Sequence, residues 1–264
     1  MRITVLCENT ARDPSFLAEH GLSLLLETKG YRILFDMGQT DAFSQNAERL
    51  GVRLADVDLA ILSHGHYDHG GGIRRFLELN AHAPLYLSAL AFGEHYHGSE
   101  RYIGLDRSLL EDPRLCRISK DQSIFPGGTI LTAIDGEEIH PIPSAGLTVK
   151  QNGVFCRERF LHEQYLLVEE EGRRILISGC SHRGVRNLLH RFSPDVFIGG
   201  FHLSGLDPMT DEDAKVISAI GADMSRSGAR FWTGHCTGQR AYDSLKRLLG
   251  DRLSYLSTGD RVEI

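Results

Sequence analysis

Ten consecutive residues constrain this chain more than any other stretch: Ser63-His64-Gly65-His66-Tyr67-Asp68-His69-Gly70-Gly71-Gly72. They follow the apolar run Val57–Leu62, which reads as a buried strand, and precede Ile73–Leu79, which reads as a helix. Side chains two apart on extended backbone point the same way, so His64 and His66 are expected to face one position. Asp68 and His69, at the turn into the helix, face a second position nearby. Neutral imidazole and carboxylate are the ligands that Zn²⁺, Fe²⁺ or Mn²⁺ accept. The pattern therefore predicts a metal site with places for two divalent ions, roughly 3.5–4 Å apart, activating a hydroxide between them.

Thirteen histidines and 28 glycines among 264 residues fall largely in the same short segments, as expected of a site built on loops. With 41% hydrophobic and 24% charged residues the composition is that of a globular protein, which excludes collagen-like, coiled-coil and mainly disordered chains. No run approaches the ~18 apolar residues of a membrane span, and Met1–Glu8 meets an acidic residue before any signal-peptide core develops. Five scattered cysteines read as reduced thiols. The net charge of −6, without a Lys/Arg block, argues against nucleic acid as partner. A cytoplasmic protein with no membrane partner and a small-molecule substrate is expected.

Along the chain, Met1–Leu6 and Leu22–Glu27 read as strands, the latter turning through Lys29-Gly30 into Tyr31–Phe35. A helix over 41–50, a hairpin of Gln164–Glu169 and Arg173–Ser178, and helices over 184–192, 211–222 and 240–249 follow, with strands Val196–Ile198 and Arg230–Thr233 between them. The pattern predicts one α/β domain over 1–264, with two mixed sheets between helices and an irregular insertion at about 92–160.

The His-x-His-x-Asp-His run resembles the signature of the metallo-β-lactamase-fold superfamily, and Asp36-Met37-Gly38 is similar to its strand-end Asp-x-Gly element. The segments Glu19–Ser23, Gly179-Cys180-Ser181-His182-Arg183-Gly184 and Gly199–Leu203 resemble a subgroup that includes the dihydropterin–ribofuranosylaminobenzene phosphate synthases and related metal-dependent hydrolases. The resemblance implies a four-layer αββα sandwich. It also implies two divalent ions, zinc first, with manganese or iron as alternatives. By that resemblance the metal ligands are His64, His66, Asp68, His69, His162, Cys180 and His235. Cys180 stands where the superfamily has a bridging aspartate, and Asp36 orients a ligand histidine through its other ring nitrogen.

His182 and His202 lie in glycine-flanked loops after strands, as candidate ligands or, with Asp68, proton carriers, and His20 is a candidate substrate contact. Gly179–Gly184 opens a helix whose N-terminus suits an anion, and Arg183 and Arg186 there are candidate phosphate clamps. Tyr96, Tyr102, Phe125 and Phe155 are candidates to stack on a flat ring, and His82, His95, His97, His140 and His190 read as ordinary residues. Together these features predict a metal-dependent hydrolase or transferase acting on a small phosphorylated or pterin-like substrate through a metal-activated hydroxide. The alternatives are an RNA/DNA phosphodiesterase of the same fold and a non-catalytic metal-binding module.

Overall fold

In a computed structural model, which describes residues 1–133, 138–141 and 145–264, the chain begins with an antiparallel meander. Strands β1 (Arg2–Cys7), β2 (Ser23–Thr28) and β3 (Tyr31–Phe35) pair in order. The β2–β3 turn is Lys29-Gly30, both at positive φ (50° and 82°), the two-residue geometry that matches strand twist. Helix α1 (Ala42–Arg49) leads to β4 (Leu59–Ile61), which lies parallel to β3 and is buried throughout. A one-turn helix α2 (Tyr67–Gly70) and α3 (Ile73–Leu79) then carry the chain to β5 (Leu85–Ser88), parallel to β4.

The segment 92–160 is made of short strands: β6 (Glu94–His97), β7 (Arg101–Tyr102), β8 (Leu115–Ile118), β9 (Gln122–Phe125), β10 (Gly128–Thr132), β11 (Leu147–Gln151) and β12 (Val154–Arg157). β8 joins the first sheet and β9 and β10 join the second, whereas β6, β7, β11 and β12 form a separate four-stranded sheet. Beyond it come β13 (Gln164–Glu170), β14 (Arg173–Ile177), α4 (Val185–Phe192), β15 (Val196–Ile198), α5 (Asp211–Ser227), β16 (Arg230–Thr233), α6 (Gln239–Leu249), β17 (Leu253–Tyr255) and β18 (Arg261–Glu263). Helix α5 starts on Thr210, whose hydroxyl accepts the Asp213 N–H, and stops at Gly228 with φ 74°.

The result is the α/β, four-layer αββα sandwich. One seven-stranded sheet runs β18-β1-β2-β3-β4-β5-β8 and the other β17-β16-β15-β14-β13-β10-β9. Three apolar layers hold it together. Phe35, Ile61, Leu166 and Ile198 interleave between the sheets. Phe43, Phe76 and Leu87 seal α1 and α3 onto the first sheet. Phe197, Met224 and Leu245 seal α4, α5 and α6 onto the second.

The parallel strands matter most for function. β3 and β4 in one sheet run parallel to each other, as do β14, β15 and β16 in the other. Their carboxyl ends release Asp36, Ser63–His69, Gly179–Arg183, Phe201-His202 and Gly234-His235 into one crevice, the position where open α/β sheets place ligands.

Candidate metal centre

Left-handed backbone marks this crevice. Asp36, Ser181, His202 and His235 all have positive φ (59°, 55°, 53° and 49°), each at the first turn after a strand. Non-glycine residues held there cost of order 1–3 kcal/mol each and persist only where the surroundings fix them.

Asp36 is the hub. Fully buried, it accepts the Ser63 backbone N–H on Oδ1 (2.7 Å), and the Ser63 hydroxyl (2.7 Å) and His69 Nδ1–H (2.6 Å) on Oδ2. With its proton given to Asp36, the Ser63 oxygen accepts from His64 Nδ1 at 2.8 Å. Both rings thus carry a proton on Nδ1 and aim Nε2 toward the crevice. His235 is fixed likewise, its Nδ1 at 2.8 Å from the Asn9 side-chain oxygen and its backbone N–H on Glu8.

Two adjoining groups of donors result. In the first, His64, His66 and His182 bring ring nitrogens within 4.8 Å of one another, with His64 Nε2 and His182 Nε2 3.3 Å apart. The His66 Nε2 is buried without a hydrogen-bond partner among the described residues. In the second, His69 Nε2 lies 3.1 Å from both His235 Nε2 and Cys180 Sγ, and Asp68 Oδ2 is 3.4 Å from His235 Nε2. Cys180 also falls within 4.8 Å of His64 and His69 and of His182 and His202, so its sulfur stands between the groups.

The lone pairs of His64 Nε2 and His182 Nε2, aimed at each other over 3.3 Å, repel unless a cation lies between them. That separation is about the edge of a tetrahedron with bonds of roughly 2.0–2.1 Å, the length of zinc–imidazole bonds. The donor set therefore fits divalent ions.

Electrostatics follow from burial. Desolvation, with neighbouring imidazoles, pushes the His64 and His182 pKa values well down, and desolvation takes His66 down to about 3. These rings are neutral and ready to ligate. Burial works the same way on His69, but Asp36 and Asp68 outweigh it and hold that ring up at about 9. Burial favours a protonated Asp68, yet the imidazoles of His69, His20 and His235 keep its pKa well below the usual carboxylate range.

His162, expected to ligate the first ion, stands with His66 and His95 in a third group of donors, all buried, whose ligand atoms lie within 4.8 Å of one another. Its Nδ1 accepts the Gly65 backbone N–H at 2.8 Å, which leaves the proton on Nε2. Its ring stacks on His95 at 3.9 Å, and His95 Nδ1 is held by Glu158 at 2.7 Å. His182 and His162 thus both stand beside His66, each in a group that could hold an ion.

The anion clamp expected at the start of α4 is filled from within the protein. The Glu163 carboxylate accepts the backbone N–H groups of His182 (2.7 Å) and Arg183 (3.0 Å) and the Tyr165 hydroxyl (2.5 Å). Arg183 is buried against the Arg159 carbonyl and Glu138, and Arg186 pairs with Asp223. Neither arginine lines the crevice. The proposed stacking aromatics are absent from it too: Tyr96 packs on Tyr102 and Phe155, and Phe125 is buried between the sheets.

A pocket of about 180 Å³ opens over the donors, lined by His20, His66, Asp68, His182, His202 and Cys236, and roofed by residues of the four-stranded sheet. His20, half exposed, reaches Asp68 Oδ2 at 3.3 Å. The His202 ring lies 4.2 Å from His182, with Nδ1 buried and unpaired among the described residues. Glu8, Asn9, Ser63, Glu158, Glu163 and Cys236 escape sequence reasoning, because each reaches the site through a long-range contact rather than a local pattern.

The fold, the loop of clustered ligands and the crevice at the strand ends define a metal-dependent enzyme scaffold, and the chain belongs to the metallo-beta-lactamase superfamily, whose model matches residues 18–151. Within it, the chain is 29% identical over 266 residues to the 7,8-dihydropterin-6-methyl-4-(beta-D-ribofuranosyl)-aminobenzene-5'-phosphate synthase of Methanocaldococcus jannaschii, covering 91% of this chain and 89% of that one. An uncharacterized protein of the same organism is 30% identical over 267 residues, covering 93% and 94%. Among solved structures, Tm1679, described as a metal-dependent hydrolase of the beta-lactamase superfamily, superposes with a TM-score of 0.84 at 31% identity, covering 100% of this chain and 99% of that one. The superfamily implies divalent metal ions, and the His/Cys clusters of this chain are candidates to hold them. Among the described residues no helix is long and apolar enough to cross a membrane.

Proposed function

We propose that the chain is a dinuclear metal-dependent enzyme that hydrolyses, or transfers a group on, a small phosphorylated substrate. The observation that carries this reading is the pair of adjoining donor groups beneath one pocket of about 180 Å³. In this reading His64, His66 and His182 hold one ion, Asp68, His69 and His235 hold the other, and Cys180 lies between. Bound there, divalent cations supply Lewis acidity to the scissile group and make water acidic enough to attack at neutral pH.

The chain's own residues do the rest. Asp36 and Ser63 fix the tautomers of His69 and His64. His20 steadies Asp68 from the pocket side. Burial opposes charge on His202, but the hydrogen bond its ring donates to the Cys236 sulfur raises its pKa, so the ring can hold a proton for the leaving group. The substrate class draws support from the synthase relative, whose named product carries a 5'-phosphate; hydrolysis draws support from Tm1679.

Elemental analysis of protein purified without chelator tests the assignment. Close to two ions per chain are expected, falling in His66→Ala, His182→Ala and His235→Ala but not in His162→Ala. Retention of both ions by His182→Ala refutes the first ligand set. Release of inorganic phosphate from a phosphomonoester panel, followed by ³¹P NMR, separates hydrolysis from transfer, which instead yields a new phosphate-bearing product.

A further inference from the structure

The start of α4 is closed to an anion by Glu163, so a phosphate bound away from the metal ligands would have to be met by a side-chain cation of the pocket. Among the described residues the pocket wall contains one, Arg101, contributed by the four-stranded sheet. Its setting is organised by register. His97 pairs with Arg101 across β6 and β7, and Leu147 pairs with His97 across β11 and β6. Directly opposed residues of antiparallel strands share a face. Leu147, His97 and Arg101 therefore form one rank across the roof, and all three line the pocket. Strand alternation turns Tyr96 and Tyr102 to the outer face, where they pack with each other.

The guanidinium is aimed by the metal loop itself. Arg101 Nη2 donates to the Tyr67 hydroxyl at 2.7 Å, and the guanidinium carbon lies 5.5 Å from the centre of the Tyr67 ring. Tyr67 stands between His66 and Asp68, and its N–H is anchored on the Ile103 carbonyl at 2.9 Å. Elsewhere in the chain arginines near a site are neutralised, as Arg183 is by Glu138 and Arg186 by Asp223. No ion pair neutralises Arg101 among the described residues. An oriented, uncompensated guanidinium beside an imidazole, with an apolar side chain next in rank, is a receptor for a phosphate joined to an organic group.

We propose that Arg101, with His97 beside it, binds the phosphate of the substrate as a handle at the pocket mouth while Leu147 contacts the organic part. This rests on the reading of the protein as an enzyme for small phosphorylated molecules. It places the phosphate on the roof, not on helix α4.

The test is titration calorimetry with phenyl phosphate, on the metal-loaded and the chelator-treated protein. Arg101→Gln is expected to weaken binding about 10–100-fold in both forms, the loss of one charged hydrogen-bonding partner. Arg101→Lys, which keeps charge without the fork, should fall between, and Arg53→Gln on the far surface should match the wild type. Metal content should be equal in all four, and any turnover of phenyl phosphate should fall through KM with kcat little changed. Equal affinity in Arg101→Gln and wild type overturns the inference and leaves the proposed activity standing. A metal-replete wild type that does not bind phenyl phosphate overturns the substrate class, and the inference with it. Benzoate bound as tightly as phenyl phosphate overturns the choice of phosphate.

Discussion

Replacing Asp36 by Asn changes one atom at the centre of the site and reverses the direction of its hydrogen bonds. Asn tolerates the left-handed backbone at φ 59°, so the substitution leaves the turn in place. The carboxylate accepts three bonds: the Ser63 N–H, the Ser63 hydroxyl and His69 Nδ1–H. An amide oxygen can keep the first, but its NH₂ then faces the other two and must donate to them. His69 Nδ1 becomes an acceptor and its proton moves to Nε2, the atom 3.1 Å from Cys180 and His235. The Ser63 hydroxyl, now accepting from the amide, turns its proton to His64 Nδ1, and His64 Nε2 is protonated as well. Each ligand imidazole misoriented in this way costs about 10–100-fold in metal affinity, or roughly 1.4–2.7 kcal/mol. One substitution thus weakens both ions while leaving every ligand present. Competition with a fluorescent chelator gives the affinity, and two-bond ¹⁵N–¹H spectra of the imidazoles give the tautomers. Wild-type affinity in Asp36→Asn, or His69 with an unprotonated Nε2, refutes the reasoning.

Acidification of the metal-free chain gives a signed prediction. His66 titrates at about 3 in the fold and near 6.5 unfolded, so below 6.5 the unfolded chain binds the extra proton and stability falls, by about 2 kcal/mol at pH 5 from this ring alone. His69, at about 9, works oppositely: its contribution is complete below 6.5 and is lost as pH rises through 9. Urea midpoints should therefore peak near pH 6.5, and a midpoint that is flat from pH 5 to 9 contradicts both shifts. Gly65→Ala places a Cβ 1.9 Å from the Ala91 carbonyl oxygen, and the displaced loop should lower stability by about 1–3 kcal/mol and release metal. Wild-type melting temperature and metal content in that variant would show the loop to be pliant.

The ligand loop was legible because its donors are contiguous and follow a strand whose apolar run is unbroken. His182, His202 and His235 were legible as sites for the same reason, each standing in a glycine-flanked turn after a strand. Which histidines share an ion was not, because that depends on contacts made across the crevice: the His162 Nδ1 is occupied by the Gly65 N–H, 97 residues away in sequence. The anion site at α4 misread for a similar reason. Free N–H groups at a helix start are a local signal, whereas the Glu163 carboxylate that fills them arrives from an adjacent strand. The roof sheet was the least legible part. Its strands are two to five residues long and pair residues 94–97 with 147–150, so neither periodicity nor a turn announces which side chains face inward.

The donors of each group come from both sheets, separated by 118 residues between His64 and His182 and 166 between His69 and His235. Neither half of the chain holds a complete set, so the site is assembled only when the sheets have closed on each other. Such distant closures carry a high loop-closure entropy and slow folding. An ion that binds the finished arrangement a hundredfold above its dissociation constant adds about 2.7 kcal/mol to the closed state alone, a sizeable share of the 5–15 kcal/mol typical of a domain. A cation held there would in this sense be the latch of the sandwich. On this reading a metal-free chain is expected to open more often and to expose its inner apolar faces to proteases, so that metal supply would set its lifetime as well as its activity.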